Sequence, residues 1–348
     1  MTDENMIIKH IPKKEGIPGW FWAVLTFFVM VFVAFWVAGA GVIYILKEAQ
    51  ASLGHVSSED IRFEEVAVDG EGDRKIVLIP VKGLIMDSGG DSWGRMDLVK
   101  EVSNKLKKAQ ADEKVVAVIL QVDSPGGGVT ASDILANRVK DFRKSGKVIA
   151  VSMEDIATSG AYYISAPSDY IIAHPTTITG SIGVLMQGFN LEVLLEKIGV
   201  QNVIFKSGSM KDIFSPTRDI TEEEKKLIQD IVDFMFRRFI SVVSQGRNLP
   251  TESIEAIADA RIFTSDEALR LGLIDDIGYI EDAIDKVKEL ADVREAKIVR
   301  YKKESTLSEL FLMKMDDINP VSKITNSNLL ELNGYGGFRF LYLWKADL

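Results

Sequence analysis

Two hydrophobic patterns take turns along most of the chain. Nearly unbroken apolar runs, the clearest being residues 115–122, are what a strand buried on both faces needs. Between them lie longer segments with apolar residues every three or four positions. Leu98, Val99, Val102 and Leu106 have this spacing, that of one helix face. Read this way, residues 75–80, 81–86, 115–122, 147–152 and 170–173 are strands, and 97–109 and 131–144 are helices. Residues 87–93 are a loop, and 123–128 a glycine-rich turn. Farther on, 182–186 and 201–206 read as strands around a helix at 191–197. Thr221-Glu222-Glu223-Glu224 is a capping-box start to a long helix ending near Gln245. Residues 251–258, 265–271 and 279–290 are further helices, and 296–301 a strand. The alternation predicts an α/β fold with a mostly parallel sheet and flanking helices. Such sheets bind their ligands at the carboxyl ends of the strands. Two of those ends are rich in small residues: 123–128 and 157–161.

One segment breaks the alternation. Residues 20–46 hold no charged side chain, and a helix needs only about 20 apolar residues to span a bilayer. A cleavable leader has a shorter apolar region, and residues 42–46 stay apolar past Ala38-Gly39-Ala40-Gly41. An uncleaved single-pass anchor is expected. Lys9, Lys13 and Lys14 precede it, whereas Lys47 alone lies just after it. That bias favours a cytoplasmic N-terminus, residues 1–19, and a body outside the cytoplasm at the cell membrane. Residues 47–74, polar and acidic with Asp69-Gly70-Glu71-Gly72-Asp73, read as a stalk. The globular domain is expected at 75–304. A tail of open role follows at 305–348, in which 338–344 alternates imperfectly, as a strand in need of a partner would.

Charge and residue usage narrow the chemistry. The 348 residues carry a net charge of −10, which argues against nucleic acid as a partner. There is no cysteine, so disulfides, thiolate catalysis and cysteine-based zinc sites are excluded. The acidic residues form no HExxH, DxD or paired-carboxylate pattern, and no metal or cofactor is expected.

Serine chemistry remains. A strand that turns into a helix on small residues exposes the hydroxyl at the turn beside free backbone N–H groups, which suit a developing oxyanion. Ser159 has this setting, although a serine there also suits a plain helix N-cap. Gly126, Gly127 and Gly128 allow close approach of a ligand to the backbone, or simply a turn. A Ser-His-Asp triad needs a histidine, and only His10, His55 and His174 exist. His10 precedes the anchor, His55 lies in the stalk, and His174 ends a strand. Another base is therefore needed, and a lysine kept neutral by burial can serve. Lys211 stands in a small-residue loop, 206–214, rather than on a charged helix face. A solvated loop lysine is the plainer reading of it. Ser181, in Thr179-Gly180-Ser181-Ile182-Gly183, offers a hydroxyl that would orient such a lysine, or ends a tight turn.

Five pieces in order carry a resemblance. They are Asp123-Ser124-Pro125-Gly126-Gly127-Gly128, Ala157-Thr158-Ser159-Gly160-Ala161-Tyr162-Tyr163, residues 175–184, Ser207-Gly208-Ser209-Met210-Lys211-Asp212, and Arg261-Ile262-Phe263-Thr264 with Ala268 and Gly272-Leu273-Ile274-Asp275. Together they resemble the short form of the signal peptide peptidase A family, membrane-anchored serine proteases of the Clp-protease/crotonase-like fold. The resemblance covers roughly 75–301 and the anchor; the tail after Ser305 matches nothing in it. It implies Ser159 as nucleophile, Lys211 as general base, Ser181 as the hydroxyl that orients the lysine, and an oxyanion hole from the glycine run and Gly160. It further implies a ring-like homo-oligomer in which serine and lysine meet across a protomer boundary. The implied substrates are remnant signal peptides and other small or membrane-derived peptides. A protease acting on one membrane protein, an acyl-CoA hydratase or isomerase of the same fold, and a silent membrane scaffold are the alternatives.

Overall fold

The computed structural model describes residues 19–53, 63–87, 97–303 and 340–344. Residues 1–18, which hold nearly all of the expected N-terminal segment, much of the expected stalk, nearly all of the 87–93 loop and most of the tail lie outside the described residues. The chain divides into two units, residues 1–60 and 61–348. The first contains helix α1 (Gly19–Leu53). Its segment Trp20–Gly41 is long and apolar enough to cross a membrane.

The second unit follows the predicted alternation. Its elements are β1 (Phe63–Asp69), β2 (Lys75–Lys82), α2 (Leu98–Ala111), β3 (Val115–Ser124), β4 (Gly126–Gly128), α3 (Val129–Lys144), β5 (Val148–Thr158) and α4 (Gly160–Ser165). Then come β6 (Tyr170–Ala173), β7 (Ile178–Gly180), β8 (Leu185–Met186) and α5 (Glu192–Lys197), followed by a 3-10 turn at Ser209–Asp212. The long α6 (Glu222–Arg247), α7 (Thr251–Glu255), β9 (Ile262–Thr264), α8 (Ser265–Arg270), β10 (Asp276–Ile277), α9 (Ile280–Leu290), β11 (Lys297–Lys303) and β12 (Phe340–Leu343) complete it.

The main sheet has the order β1-β11-β2-β3-β5-β6-β10, with β7 pairing β5 and β9 pairing β7. Only the β1–β11 and β7–β9 pairs in it are antiparallel. The apolar runs are unbroken because both faces are covered. On β2 and β3, Val77, Ile79, Val118, Leu120 and Val122 face one core with α2, α3, α4 and α6. Their neighbours Ile76, Leu78, Ala117 and Ile119 face a second core under α9, as the period of two requires. Tyr162 is fully buried in the first core, and its hydroxyl donates to the Leu273 carbonyl at 2.8 Å.

Helix starts are set locally. Asp97 accepts from the Val99 N–H at the head of α2. Thr221 and Glu224 form the expected capping box on α6, and Asn248 ends that helix in the left-handed region, at φ 52°.

Four sequence readings change. Residues 63–69 of the stalk are strand β1, which covers the edge of β11. Strand β2 stops at Lys82, because Gly83 at φ 78° turns the chain; Ile85 beyond it makes only an isolated bridge to Gly127. The glycine-rich turn is partly a strand, β4. Residues 201–206 form no strand: Val203, Ile204 and Phe205 are exposed, and among the described residues no strand pairs with them. Their apolar pattern marks a surface rather than a core.

Candidate active site

Strand β5 changes partners along its length. On one edge, residues up to Met153 pair with β6, whereas Ile156, Ala157 and Thr158 pair with β7; β3 keeps the other edge, where Ala157 lies opposite Ser124. Ser159 follows directly, at φ 55° and ψ −115°. A non-glycine residue in this region costs about 1–3 kcal/mol of strain. The position is held by the Ser159 N–H, which donates to the Gly180 carbonyl at 2.7 Å, and by the Ser159 carbonyl, which accepts from the Tyr163 N–H at 2.8 Å. Ser159 stands where a helix cap would, yet its hydroxyl makes no capping hydrogen bond. The plain N-cap reading therefore fails, and the residue has the strained strand-to-helix geometry of a nucleophile elbow. It is 1 % exposed.

The parallel register sets Thr158 opposite Gly180. Ser181, buried and at φ 52°, is thereby brought to the same end of the β5–β7 pair as Ser159. The Thr179 hydroxyl donates to the Ala157 carbonyl at 2.6 Å and fixes the two strands together.

The glycine run lies against the same turn. Gly126 has φ 101°, and a side chain on it would fall on the Tyr342 carbonyl oxygen and 2.7 Å from the Gly160 nitrogen. A methyl on Gly160 would sit 2.5 Å from Ser132 Oγ, 3.0 Å from the Tyr342 oxygen and 3.1 Å from the Gly127 nitrogen. Only glycine permits this approach. Two of the three run amides already have acceptors: Gly126 N–H donates to Ser124 Oγ at 3.1 Å, and Gly128 N–H to the Ile85 carbonyl at 2.8 Å. The Gly127 amide, opposite Tyr342 of β12, and the Gly160 amide, at the head of α4, lie together at the Tyr342 carbonyl oxygen, next to Ser159 in the chain.

Sequence reasoning missed two hydroxyls here. Ser132 Oγ and Thr158 Oγ1 are buried with no hydrogen-bond partner among the described residues. Nothing in their local sequence distinguishes them from other small helix or strand residues. The Tyr342 carbonyl was equally out of reach, because the tail meets the site only in three dimensions.

Lys211 is elsewhere. It lies in the 3-10 turn and is exposed, and among the described residues no hydrogen bond links it to Ser159 or Ser181. Its loop is pinned by charge. Arg218 Nε donates to Asp212 at 2.9 Å, Arg218 Nη1 to Glu224 at 2.9 Å, and Lys206 Nζ to Asp212 at 2.7 Å. Arg218 and then Lys206 hold the Asp212 carboxyl well below the usual carboxylate range. Arg218 and the Thr221 N–H lower Glu224 to about 2. Both carboxyls ionise more readily folded than unfolded. Their stabilising effect is therefore complete above the unfolded carboxylate pKa of about 4 and lost as pH falls toward about 2. In Arg218→Gln, amide exchange across residues 206–218 at pH 7 should rise on the order of tenfold, and the acid sensitivity of this loop should largely vanish. Exchange equal to wild type would mean that the network does not hold the loop.

His174 offers no competing base. Its Nδ1 lies 2.8 Å from the Thr176 hydroxyl, and its ring packs edge-on against Tyr279.

Comparison with known proteins gives matches over most of the body. Residues 141–294, which include Ser159, Ser181 and Lys211, match the model of peptidase family S49. A protein of Enterococcus faecium named as a signal peptide peptidase SppA is 40 % identical over 245 residues, 70 % of this chain and 71 % of its own length. A protein named as protease MJ0651 of Methanocaldococcus jannaschii is 39 % identical over 198 residues, 57 % of this chain and 63 % of its own length. Protease 4 of Salmonella typhi is 33 % identical over 247 residues, 69 % of this chain but 38 % of its own length.

Proposed function

Since the chain belongs to peptidase family S49, we propose that it is a serine endopeptidase in which Ser159 attacks the peptide carbonyl and Lys211 of a neighbouring copy is the general base. The hydratase alternative falls with the family assignment. The observation that carries the reading is the convergence of a strained, buried, uncapped Ser159 with the Gly127 and Gly160 amides.

The steps follow from that geometry. The lysine amine takes the Ser159 proton as Oγ bonds to the carbonyl carbon. Negative charge then grows on the carbonyl oxygen, where the Gly127 and Gly160 N–H groups donate to it. One such donor is worth about 2.7–4 kcal/mol. The lysine ammonium returns the proton to the departing amine, which leaves an acyl-enzyme. Water, deprotonated by the same lysine, releases the acid. Ser181, at the same strand end as Ser159, hydrogen-bonds the amine and orients it.

A second copy is invoked because no hydrogen bond links Lys211 to Ser159 among the described residues and because the stretch leading to the Lys211 loop exposes apolar side chains. Helix α5 buries no residue. Phe189, Val193, Ile198, Val203 and Phe205, the last 96 % exposed, lie in the same stretch between β8 and the lysine loop. An apolar surface of this extent marks a protein interface. A head-to-tail contact that presents Lys211 to the next Ser159 closes into a ring. The substrates proposed are remnant signal peptides and other membrane-derived peptides, in keeping with the name of the Enterococcus faecium relative. Helix α1 would anchor the body outside the cytoplasm.

Labelling with a serine-directed fluorophosphonate tests the centre. The wild type should label at Ser159, and Lys211→Ala at least about 10²-fold more slowly, since general-base help is worth about 10²–10⁴. Equal labelling of the two would remove Lys211 from the mechanism, and labelling at another serine would remove Ser159.

A further inference from the structure

A cavity of about 330 Å³ opens at the carboxyl ends of β3, β5 and β6, beside the head of α9. Ligands of parallel sheets bind at such strand ends, and the proposed chemistry does not use this one. Its innermost residues are Gln121 and Ser152, which are buried and lie opposite each other on β3 and β5. They follow Ile119 and Ala150 of the second core by two positions, so they share its face of the sheet. Asp155 and His174 line the cavity from the strand ends, and Tyr279 and Glu281 from the head of α9. Ser152 is only 7 % exposed, yet among the described residues its hydroxyl has no hydrogen-bond partner. A buried hydroxyl left unpaired is costly. One water would satisfy it, but would not answer the charges around it.

Those charges do not balance. Lys82 Nζ pairs with Glu154 and lies 3.9 Å from Asp123. Arg300 Nη2 donates to Gln121 Oε1 at 2.9 Å, and Asp282 accepts from the Tyr279 N–H at 2.8 Å. Asp155 and Glu281 are left: among the described residues neither has a cation within ion-pair distance. Between the strand ends and α9, the Tyr279 ring is 55 % exposed. Two unpaired carboxylates, an open aromatic ring and an unpaired buried hydroxyl suit a flat cation with several N–H groups. A guanidinium is that cation. It forks to carboxylates, stacks on rings and never loses its charge, whereas an ammonium is a compact point that cannot stack. The cavity is at the small end of ligand sites, about 300–1,000 Å³, and takes one arginine-sized group.

We infer that this cavity is a second binding site, for a guanidinium group: Asp155 and Glu281 hold its charge, Tyr279 stacks on its plane, and Ser152 Oγ accepts one of its N–H groups. The inference stands whether or not Ser159 and Lys211 are catalytic. Two sources offer the same chemistry. Asp155 comes four residues before Ser159, at most about 14 Å away along the chain, so one source is an arginine on a peptide held at Ser159. The other is a free arginine-like molecule.

The test uses the full chain carrying Ser159→Ala, in detergent, so that no ligand is cleaved. Calorimetry with N-acetylarginine methylamide should show one site with a Kd of about 1 mM or below, the affinity usual for a ligand of this size. The lysine counterpart should bind at least about tenfold more weakly, because it cannot fork or stack. Adding Asp155→Asn and Glu281→Gln, both on exposed side chains, should weaken the arginine compound at least about tenfold. Adding Ser152→Ala instead should weaken it about three- to tenfold. A Gly-Gly-Arg-Gly-Gly peptide that binds at least about tenfold more tightly than the amide assigns the group to a peptide chain, and equal binding assigns it to a free molecule; either result upholds the site. No saturable heat up to about 20 mM ligand would overturn the inference. Equal affinity for the lysine compound, or binding untouched by loss of both carboxylates, would overturn it as well.

Discussion

Peptide hydrolysis by the Ser159→Ala chain, and separately by the Lys211→Ala chain, is expected to fall by about 10⁴-fold or more while both still fold and assemble. The size follows from serine enzymes in which nucleophile and base act as one unit, where removing either costs nearly as much as removing both. The double variant should accordingly be no worse than the weaker single. Gly127 and Gly160 remain in all three chains, so a small residual rate over water is expected from the oxyanion donors and binding alone. Folding should survive because neither residue supports the core. Lys211 is exposed, and Ser159 makes no side-chain cap bond. Steady-state kinetics on purified chains, with a sizing column for assembly, decide the matter. Activity within tenfold of wild type in either variant would end the dyad.

Mixing the two inactive chains should restore activity. If each site takes Ser159 from one copy and Lys211 from the next, a working site needs a Lys211→Ala chain followed by a Ser159→Ala chain in the right order. Random assembly from equal amounts gives that order at about one boundary in four, so about a quarter of wild-type activity per chain should return. The subunits must be mixed under conditions that let assemblies exchange. No recovery after demonstrated exchange would put serine and lysine on one chain. Exposed Phe205 and an α5 that buries nothing are the features that lead to the first outcome.

The parallel core was readable because its physics is local. Strand β3 carries an apolar residue at nearly every position because both faces are covered, and α6 carries its capping box in four consecutive residues. Strand β1 was hidden for the opposite reason. After buried Phe63, the strand carries Glu64-Glu65 and is mostly exposed because it is an edge, and nothing in its sequence names β11 as its partner. Ser159 was legible as a turn serine, but not its positive φ, which the bond to the Gly180 carbonyl enforces from another strand. Which glycine amide faces the Tyr342 carbonyl could not be read at all: it depends on Ile85 and Ser124 taking the neighbouring ones and on β12 lying opposite Gly127. Residues 201–206 misled because apolar side chains exposed on a surface have the same sequence pattern as those packed in a core.

Ser159 and Ser181 both stand at positive φ, within one strand pair of each other. At about 1–3 kcal/mol each, this strain is a sizeable part of the roughly 5–15 kcal/mol by which a folded domain exceeds its unfolded chain. The site is thus a loaded spring, kept compressed by packing elsewhere. Core changes that the rest of the body absorbs, such as a lost methyl group under α3 or α4, would relax first at this turn. The chain would lose its geometry for chemistry well before it lost its fold.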